Sequence, residues 1–383
     1  MLERKLTANK INQSAFLFGP RGTGKTLWVK KAFPDALYID LLSHREYTNL
    51  QADPSRLEAI VLAHPEAWVI IDEVQRIPSL LNEVHRLIEH YQRRFILTGS
   101  SSRKLKQSGI NLLAGRALTY HMHPLIMEEI GNDCDLDRAL SFGLLPISYL
   151  GKDPQHFLDS YVFTYLREEV LHEGLVRNLG TFSKFMEVAS FSQGSQINVL
   201  GIAREVGVSR KIVEGYFEIL EDLLLAVKIT CFSKRSQRKL VQHPKFYYFD
   251  AGVFRAIRPK GPLDSPQEIG GIAFETLFLQ HLRAVIDYAR YNLSIYFWRT
   301  ATGIEVDFIV YGANGLFAFE LKSSTYFERK DLKGLQAFKK DFPIAQCYLI
   351  YAGQREELHN DITVLPLKTA LQKLSVILSG NRV

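Results

Sequence analysis

The sequence predicts an α/β protein with a helical middle, and three observations carry that prediction. Between Ala15 and Leu97, short apolar runs alternate with amphipathic stretches, the pattern of buried parallel strands joined by helices. From about Gly131 helical spacing takes over. Beyond Lys228 the apolar runs return among further helices, as in a second α/β domain. The expected domains are therefore residues 1–130, 131–227 and 228–383.

In the first domain, Ala15–Phe18 reads as a buried strand, followed by a Gly-rich turn and a helix from Lys25. Ala36–Ile39, Trp68–Ile71 and Arg94–Leu97 are the next strands, with helices over Pro54–Ala63 and Ser79–His90 between them. In the middle, Gln155–Val176 and Thr181–Ser190 read as helices. Val199–Val206, a turn at Gly207 and Ser209–Leu225 then make a helix-turn-helix. In the last domain, strands are expected at Lys245–Phe249, Ser294–Trp298, Glu305–Val310, Leu316–Leu321, Cys347–Tyr351 and Ile362–Leu365. Helices Gly271–Ala289 and Leu332–Phe342 sit among them.

Composition bounds the function classes. With 46% hydrophobic and 23% charged residues, the 383-residue chain has material for real cores and is not a disordered segment. Its three cysteines, Cys134, Cys231 and Cys347, are scattered, which excludes a disulfide scaffold and predicts a reducing, cytoplasmic setting. Met1–Phe18 lacks a signal-peptide pattern, and no apolar run reaches about 18 residues, so no membrane partner is expected. A net charge of +6 permits nucleic-acid binding without establishing it.

The strongest motif is Gly19-Pro20-Arg21-Gly22-Thr23-Gly24-Lys25-Thr26, placed between a strand and a helix. Glycines leave room for successive backbone N–H groups to point at phosphate oxygens, and the helix N-terminus adds its partial positive charge. Lys25 reaches the β- and γ-phosphates, and Thr26 offers a hydroxyl to Mg²⁺. A second strand ends in Asp72-Glu73, at the sheet edge where ligands bind. Asp72 suits Mg²⁺ ligation through water and Glu73 suits polarisation of the attacking water; the alternative is an acidic pair capping the next helix. A third strand ends in Thr98-Gly99-Ser100-Ser101, whose Thr98 hydroxyl suits the γ-phosphate or a plain turn.

These runs, with Ile71 to Pro78 and Leu113-Ala114-Gly115-Arg116, resemble a family of prokaryotic AAA-type ATPases that carry a C-terminal domain of unknown function. Phe297-Trp298-Arg299-Thr300 and Glu305-Val306-Asp307 share in that resemblance, so it spans nearly the whole chain. It implies an AAA-type P-loop sheet, ATP and Mg²⁺ as cofactors, Thr98 as the sensor-1 position and Arg116 as a γ-phosphate-sensing arginine in cis or across a homo-oligomer interface. A surface salt bridge explains Arg116 as well.

Two apolar faces flank Gly207, made by Ile202, Ala203 and Val206, and by Ile212, Val213, Phe217 and Leu220, with Ser209 as N-cap. Arg210 and Lys211 would face a DNA groove. Glu214, Glu218, Glu221 and Asp222 load the same helix with acid, which favours a winged-helix-like connector. From Lys228 to Lys260, nine Lys/Arg stand against the single acid Asp250, either a DNA-facing patch or a solvated charged face.

In the last domain, Glu305 and Asp307 share one strand face, as do Glu320 and Lys322 in the otherwise apolar Phe317 to Lys322. An Asp followed on the next strand by Glu-x-Lys resembles the restriction-endonuclease-like nuclease core, with Glu275 from a preceding helix and Gln336 from a following one. Asp307 and Glu320 would bind Mg²⁺, Glu275 would join through water, and Lys322 would orient the hydrolytic water. The alternatives are a salt bridge within an edge strand, or a nuclease-like fold used only for binding. The expected function is Mg²⁺-dependent ATP hydrolysis coupled to DNA handling or cleavage; the alternative is an ATP-dependent switch whose C-terminal domain only binds DNA or a partner.

Overall fold

The computed structural model describes residues 2–65, 68–101, 112–166, 170, 176, 178–233, 243–262 and 264–380. The chain divides into two compact units, Met1–Leu125 with Asp222–Leu225, and Ile126–Glu221 with Ala226–Val383.

In the first unit five strands, β1 (Ala15–Phe18), β2 (Leu37–Asp40), β3 (Val69–Asp72), β4 (Phe95–Gly99) and β5 (Leu118–His121), form a parallel sheet ordered β2-β3-β4-β1-β5. The apolar runs of β1, β3 and β4 are buried throughout, because they are the central strands and are covered on both faces. Helices Lys25–Ala32, His44–Ala52, Arg56–Leu62 and Leu80–Tyr91 provide the connections. Parallel order gathers the ends of β1, β3 and β4 at one edge, so the loop after Phe18, the Asp72-Glu73 pair and Thr98 become neighbours. Two elements were not expected from the pattern. Helix His44–Ala52 buries only Leu50, and β5 is half exposed, so neither carries a strong apolar signal.

The second unit opens with short helices and the helical pieces Pro154–Ser160 and Tyr161–Leu166, where one long helix over 155–176 was expected. The rest of that expected helix lies mostly outside the described residues. Leu179–Ser190 and Val199–Val206 follow, the latter stopped by Gly207 in the left-handed region at φ 84°. The next helix is Arg210–Asp222, which ends before the expected Leu225. Val213, Tyr216, Phe217 and Leu220 are buried, whereas Ile212, expected on that face, is 42% exposed. Strands β6 (Ala226–Ile229) and β7 (Lys245–Tyr248) pair antiparallel.

A mixed six-stranded sheet completes the unit: β8 (Leu293–Arg299), β9 (Glu305–Gly312), β10 (Gly315–Lys322), β11 (Gln346–Tyr351), β12 (Glu357–His359) and β13 (Ile362–Pro366), ordered β12-β13-β11-β10-β9-β8. The β8–β9–β10 meander is antiparallel, and β10, β11 and β13 run parallel. Helix Lys333–Asp341 packs Leu335 and Phe338 into the core with Val306, Ala318 and Leu349. Helix Pro266–Ala289 is long and apolar enough by length and composition to cross a membrane, yet most of it is buried inside the unit, as a core helix is.

Of the five described cations between Lys228 and Lys260, three are engaged with other side chains of the unit or buried. Lys228 pairs with Glu221 at 2.7 Å, Lys245 is buried, and the buried Arg258 lies 3.5 Å above the Phe191 ring. Lys234, Arg235, Arg238 and Lys239 lie outside the described residues.

Candidate functional site

The phosphate loop is shaped by close approach. A Cβ on Gly19 would sit 2.3 Å from the Met122 carbonyl oxygen, so only glycine lets β1 run into the loop beside that backbone. Gly24, at φ 91°, turns the chain into helix Lys25–Ala32. Arg21 is exposed, while Thr23 is buried and donates its hydroxyl to the Pro20 carbonyl at 2.8 Å. Lys25 is 6% exposed and donates to the carbonyls of Gly19 at 2.7 Å and Pro20 at 3.2 Å. Its ammonium is thereby held against the carbonyls of the loop that includes Gly22. Arg4 braces the same loop, donating to the Thr23 carbonyl at 2.7 Å and the His123 carbonyl at 2.6 Å.

Asp72 is the hub. Its carboxylate, 1% exposed, accepts the Thr26 hydroxyl at 2.8 Å and also the hydroxyls of Tyr38 and Thr98. Burial, followed by the Asp72 carboxylate, pushes the Tyr38 phenol well up, so Tyr38 is a fixed donor. Glu73 stands in the left-handed region at φ 61°, costly for a non-glycine residue. Its N–H donates to Thr98 Oγ1 at 3.2 Å, and its carboxylate accepts Gln75 Nε2, which also donates to Ser100 at 3.1 Å. A Cβ on Gly99 would lie 2.6 Å from Gln75 Oε1, so the Gly99-Ser100 turn makes room for this glutamine.

The structure thus brings Lys25, Thr26, Asp72, Glu73 and Thr98 to one edge. A hydroxyl and a carboxylate in contact are the hard oxygen donors Mg²⁺ takes, so Thr26 and Asp72 fit that ion. Arg116 is placed differently: it forms an ion pair with Glu89 of helix Leu80–Tyr91, and its side chain is 37% exposed. Tyr38 and Gln75 were missed by sequence reasoning. Gln75 lies within the Ile71 to Pro78 run but was given no role there, and only the sheet order puts Tyr38 against Asp72.

A second polar cluster lies in the mixed sheet. The β9–β10 ladder stops at the Phe308–Phe319 pair, and the Asp307 carboxylate accepts the Leu321 N–H at 2.9 Å. Lys322 pairs with Glu320 at 2.9 Å. Burial, then the Asp307 charge, pushes both Glu275 and Glu320 up to about 8, so Asp307 is the main charge neighbour of each. Glu275 accepts the Tyr247 hydroxyl at 3.0 Å. Gln336 is exposed and does not join the cluster.

The unanticipated member is Lys245. It is 3% exposed, contacts Glu305, and lies 3.8 Å from Asp307. Arg299 holds the other Glu305 oxygen at 3.3 Å. Burial works against the Lys245 charge, yet the carboxylates of Asp307, Glu275 and Glu305 raise its pKa overall. Among the described residues no group of three His, Cys, Asp or Glu is arranged to hold a metal ion. In the expected metal set, Asp307 is a charge neighbour of both Glu275 and Glu320, and the ammonium groups of Lys245 and Lys322 pair with members of the same set. As arranged, these residues do not fit a resident divalent ion.

In the helix-turn-helix, Arg210 pairs with Glu214 at 2.8 Å, both exposed, on the acidic helix. The three cysteines are free, with Cys134 and Cys347 buried.

Comparison with known proteins adds three regional matches. Residues 12–131 match a family model described as an AAA domain, 133–264 match a domain of unknown function (DUF8612), and 270–370 match another (DUF4143). Uncharacterized proteins of Mycobacterium bovis and Mycobacterium tuberculosis are each 24% identical over 98% of this chain and 86% of their own length. An uncharacterized protein of Haemophilus influenzae is 20% identical over 53% of this chain and 56% of its own. The carboxylates of the second cluster fall in the 270–370 match and Lys245 and Tyr247 in the 133–264 match, so the cluster is shared between the two regions. On these matches the chain is similar to AAA-type ATPases through residue 131, and beyond it to proteins carrying those two domains of unknown function.

Proposed function

We propose that the chain is a Mg²⁺-dependent ATPase whose turnover drives its helical and C-terminal regions. The observation that carries this reading is Asp72, which ties the Thr26 and Thr98 hydroxyls to one carboxylate beside Glu73. When bound, Mg²⁺ would neutralise charge developing on the β- and γ-phosphates. Thr26 would hold it directly and Asp72 through water. The backbone N–H groups of Gly22, Gly24, Lys25 and Thr26 would cradle the phosphates, and Lys25 would exchange its two carbonyl partners for phosphate oxygens. Glu73 would orient the attacking water, with Thr98 fixing its backbone and Gln75 its carboxylate. Arg116 would leave Glu89 and reach the γ-phosphate of a neighbouring copy in a homo-oligomer.

For the rest of the chain, a winged-helix-like connector and a nuclease-like sheet support DNA handling as the coupled task. The Lys245 ion pairs favour the second reading, in which ATP occupancy switches a domain that binds DNA or a partner without cutting it. The test pairs ATPase rates, with and without nucleic acids, with cleavage of supercoiled, linear and branched DNA in Mg²⁺ or Mn²⁺. Cleavage lost in Asp307→Ala supports the nuclease reading. Nucleic-acid-stimulated ATPase without cleavage supports the switch.

A further inference from the structure

We infer that Lys245 is the built-in counter-ion of the Glu275–Glu305–Asp307–Glu320 cluster, taking the place of a divalent cation and making the nuclease-like sheet metal-independent. The inference rests on the switch reading of the C-terminal region and is independent of the ATP site.

The strand that delivers Lys245 is built for this role. By the period of two, β7 sends Lys245 and Tyr247 to one face and Phe246 and Tyr248 to the other. Phe246 packs edge-on against Phe217, and the Tyr248 hydroxyl donates to the Met186 carbonyl at 2.7 Å, which anchors the strand from behind. Each inward residue then meets carboxylates: Lys245 meets Glu305 and Asp307, and Tyr247 meets Glu275. The Phe297 ring lies 5.6 Å from the ammonium and adds an aromatic face to its surroundings. Gly194 lines the cluster as well. It is in the left-handed region at φ 72°, and a Cβ there would approach Glu275 Oε2 to 3.2 Å.

Charge arithmetic points the same way. Four carboxyl groups, Glu275, Glu305, Asp307 and Glu320, stand against three cations, Lys245, Arg299 and Lys322. Even with all four carboxyl groups ionised, four negative minus three positive leaves only one negative charge. A cluster whose charges are so nearly compensated offers a divalent ion little attraction, whereas an ammonium buried at 3% exposure persists only with carboxylates around it. Without Lys245, clustered carboxylates would need another cation, and a hard divalent ion is the ready substitute.

Mn²⁺ binding by calorimetry and thermal unfolding in EDTA or MnCl2 test this on the full chain, with Lys25→Ala included throughout so that the ATP site binds no nucleotide-linked metal. With Lys245 present, Asp307→Asn should leave the response to Mn²⁺ unchanged. Lys245→Met should lower the melting temperature in EDTA, recover part of it in MnCl2, and bind Mn²⁺ at least tenfold more tightly, a gain erased by adding Asp307→Asn. Should Lys245→Met not fold in EDTA, the double variant Lys245→Met/Glu305→Gln decides. Removing one charge of each sign should restore folding if Lys245 acts as counter-ion, and failure of the double variant overturns the inference. Asp307-dependent Mn²⁺ binding with Lys245 in place, as tight as in Lys245→Met, also overturns it. The ATPase reading survives that result.

Discussion

Thr26 donates its hydroxyl to Asp72 at 2.8 Å across 46 positions of sequence, joining the start of the first helix to the end of the third strand. Parallel strand order makes this contact, and it converts two separate motifs into one site. The first prediction follows. Lys25→Ala should weaken ATP binding at least tenfold, because the single buried ammonium of the loop is lost. Titration with a fluorescent ATP analogue reads this, and the fold should stay intact, since the partners of Lys25 are loop carbonyls.

Tyr38→Phe removes one of three hydroxyls on Asp72 and should cost about 1 kcal/mol of stability. Because Tyr38 and Thr26 share the Oδ2 atom, the Mg²⁺ dependence of ATPase should shift as well. Denaturant unfolding and an Mg²⁺ titration of the rate check the two effects separately.

Arg116→Ala should leave ATP affinity within a factor of about two and slow turnover by about tenfold or more, if Arg116 serves a neighbouring copy. The wild-type rate per chain should then rise with protein concentration. A rate independent of concentration, with an active Arg116→Ala protein, assigns Arg116 to its Glu89 ion pair alone.

His281 predicts acid sensitivity. Its Nε2 accepts the Met127 N–H at 3.0 Å, and its Nδ1 lies 2.8 Å from the Leu277 carbonyl, so the buried ring is neutral. Burial lowers its pKa from 6.5 to about 4. The unfolded chain binds the extra proton in that window, so stability is lost as pH falls from about 6.5 to about 4, by about 3 kcal/mol in all. The difference in unfolding free energy between wild type and His281→Gln at pH 4.5 and 7 should shift accordingly; equal differences at both pH values would contradict the assignment.

What the sequence made legible was local. The strands at Ala15, Val69 and Phe95 could be read because each is an apolar run buried on both faces. The helix Val199–Val206 could be read because Gly207 marks its end. The phosphate loop was legible for the same reason, since its chemistry occupies consecutive residues. Lys245 and Tyr38 were not, because each acquires its role from a partner that folding brings near, and of the Gln75 contacts only the one to Ser100 depends on the fold. Lys245 in particular looked like one more charge in a basic stretch, and only the approach of Glu305 and Asp307 makes it a buried ion pair. Helix Ala251–Ile257 was hidden in that stretch too, although Asp250 caps it by accepting the Gly252 and Val253 amides at 2.9 and 3.0 Å.

The central claim is that Glu73, beside Asp72, drives hydrolysis of bound ATP, and its most direct measurement is single-turnover ATP hydrolysis by wild type and Glu73→Gln at saturating Mg²⁺. Loss of the carboxylate's negative charge should leave ATP affinity within a factor of about three while slowing hydrolysis by about a hundredfold or more. Hydrolysis by Glu73→Gln at the wild-type rate would contradict the account.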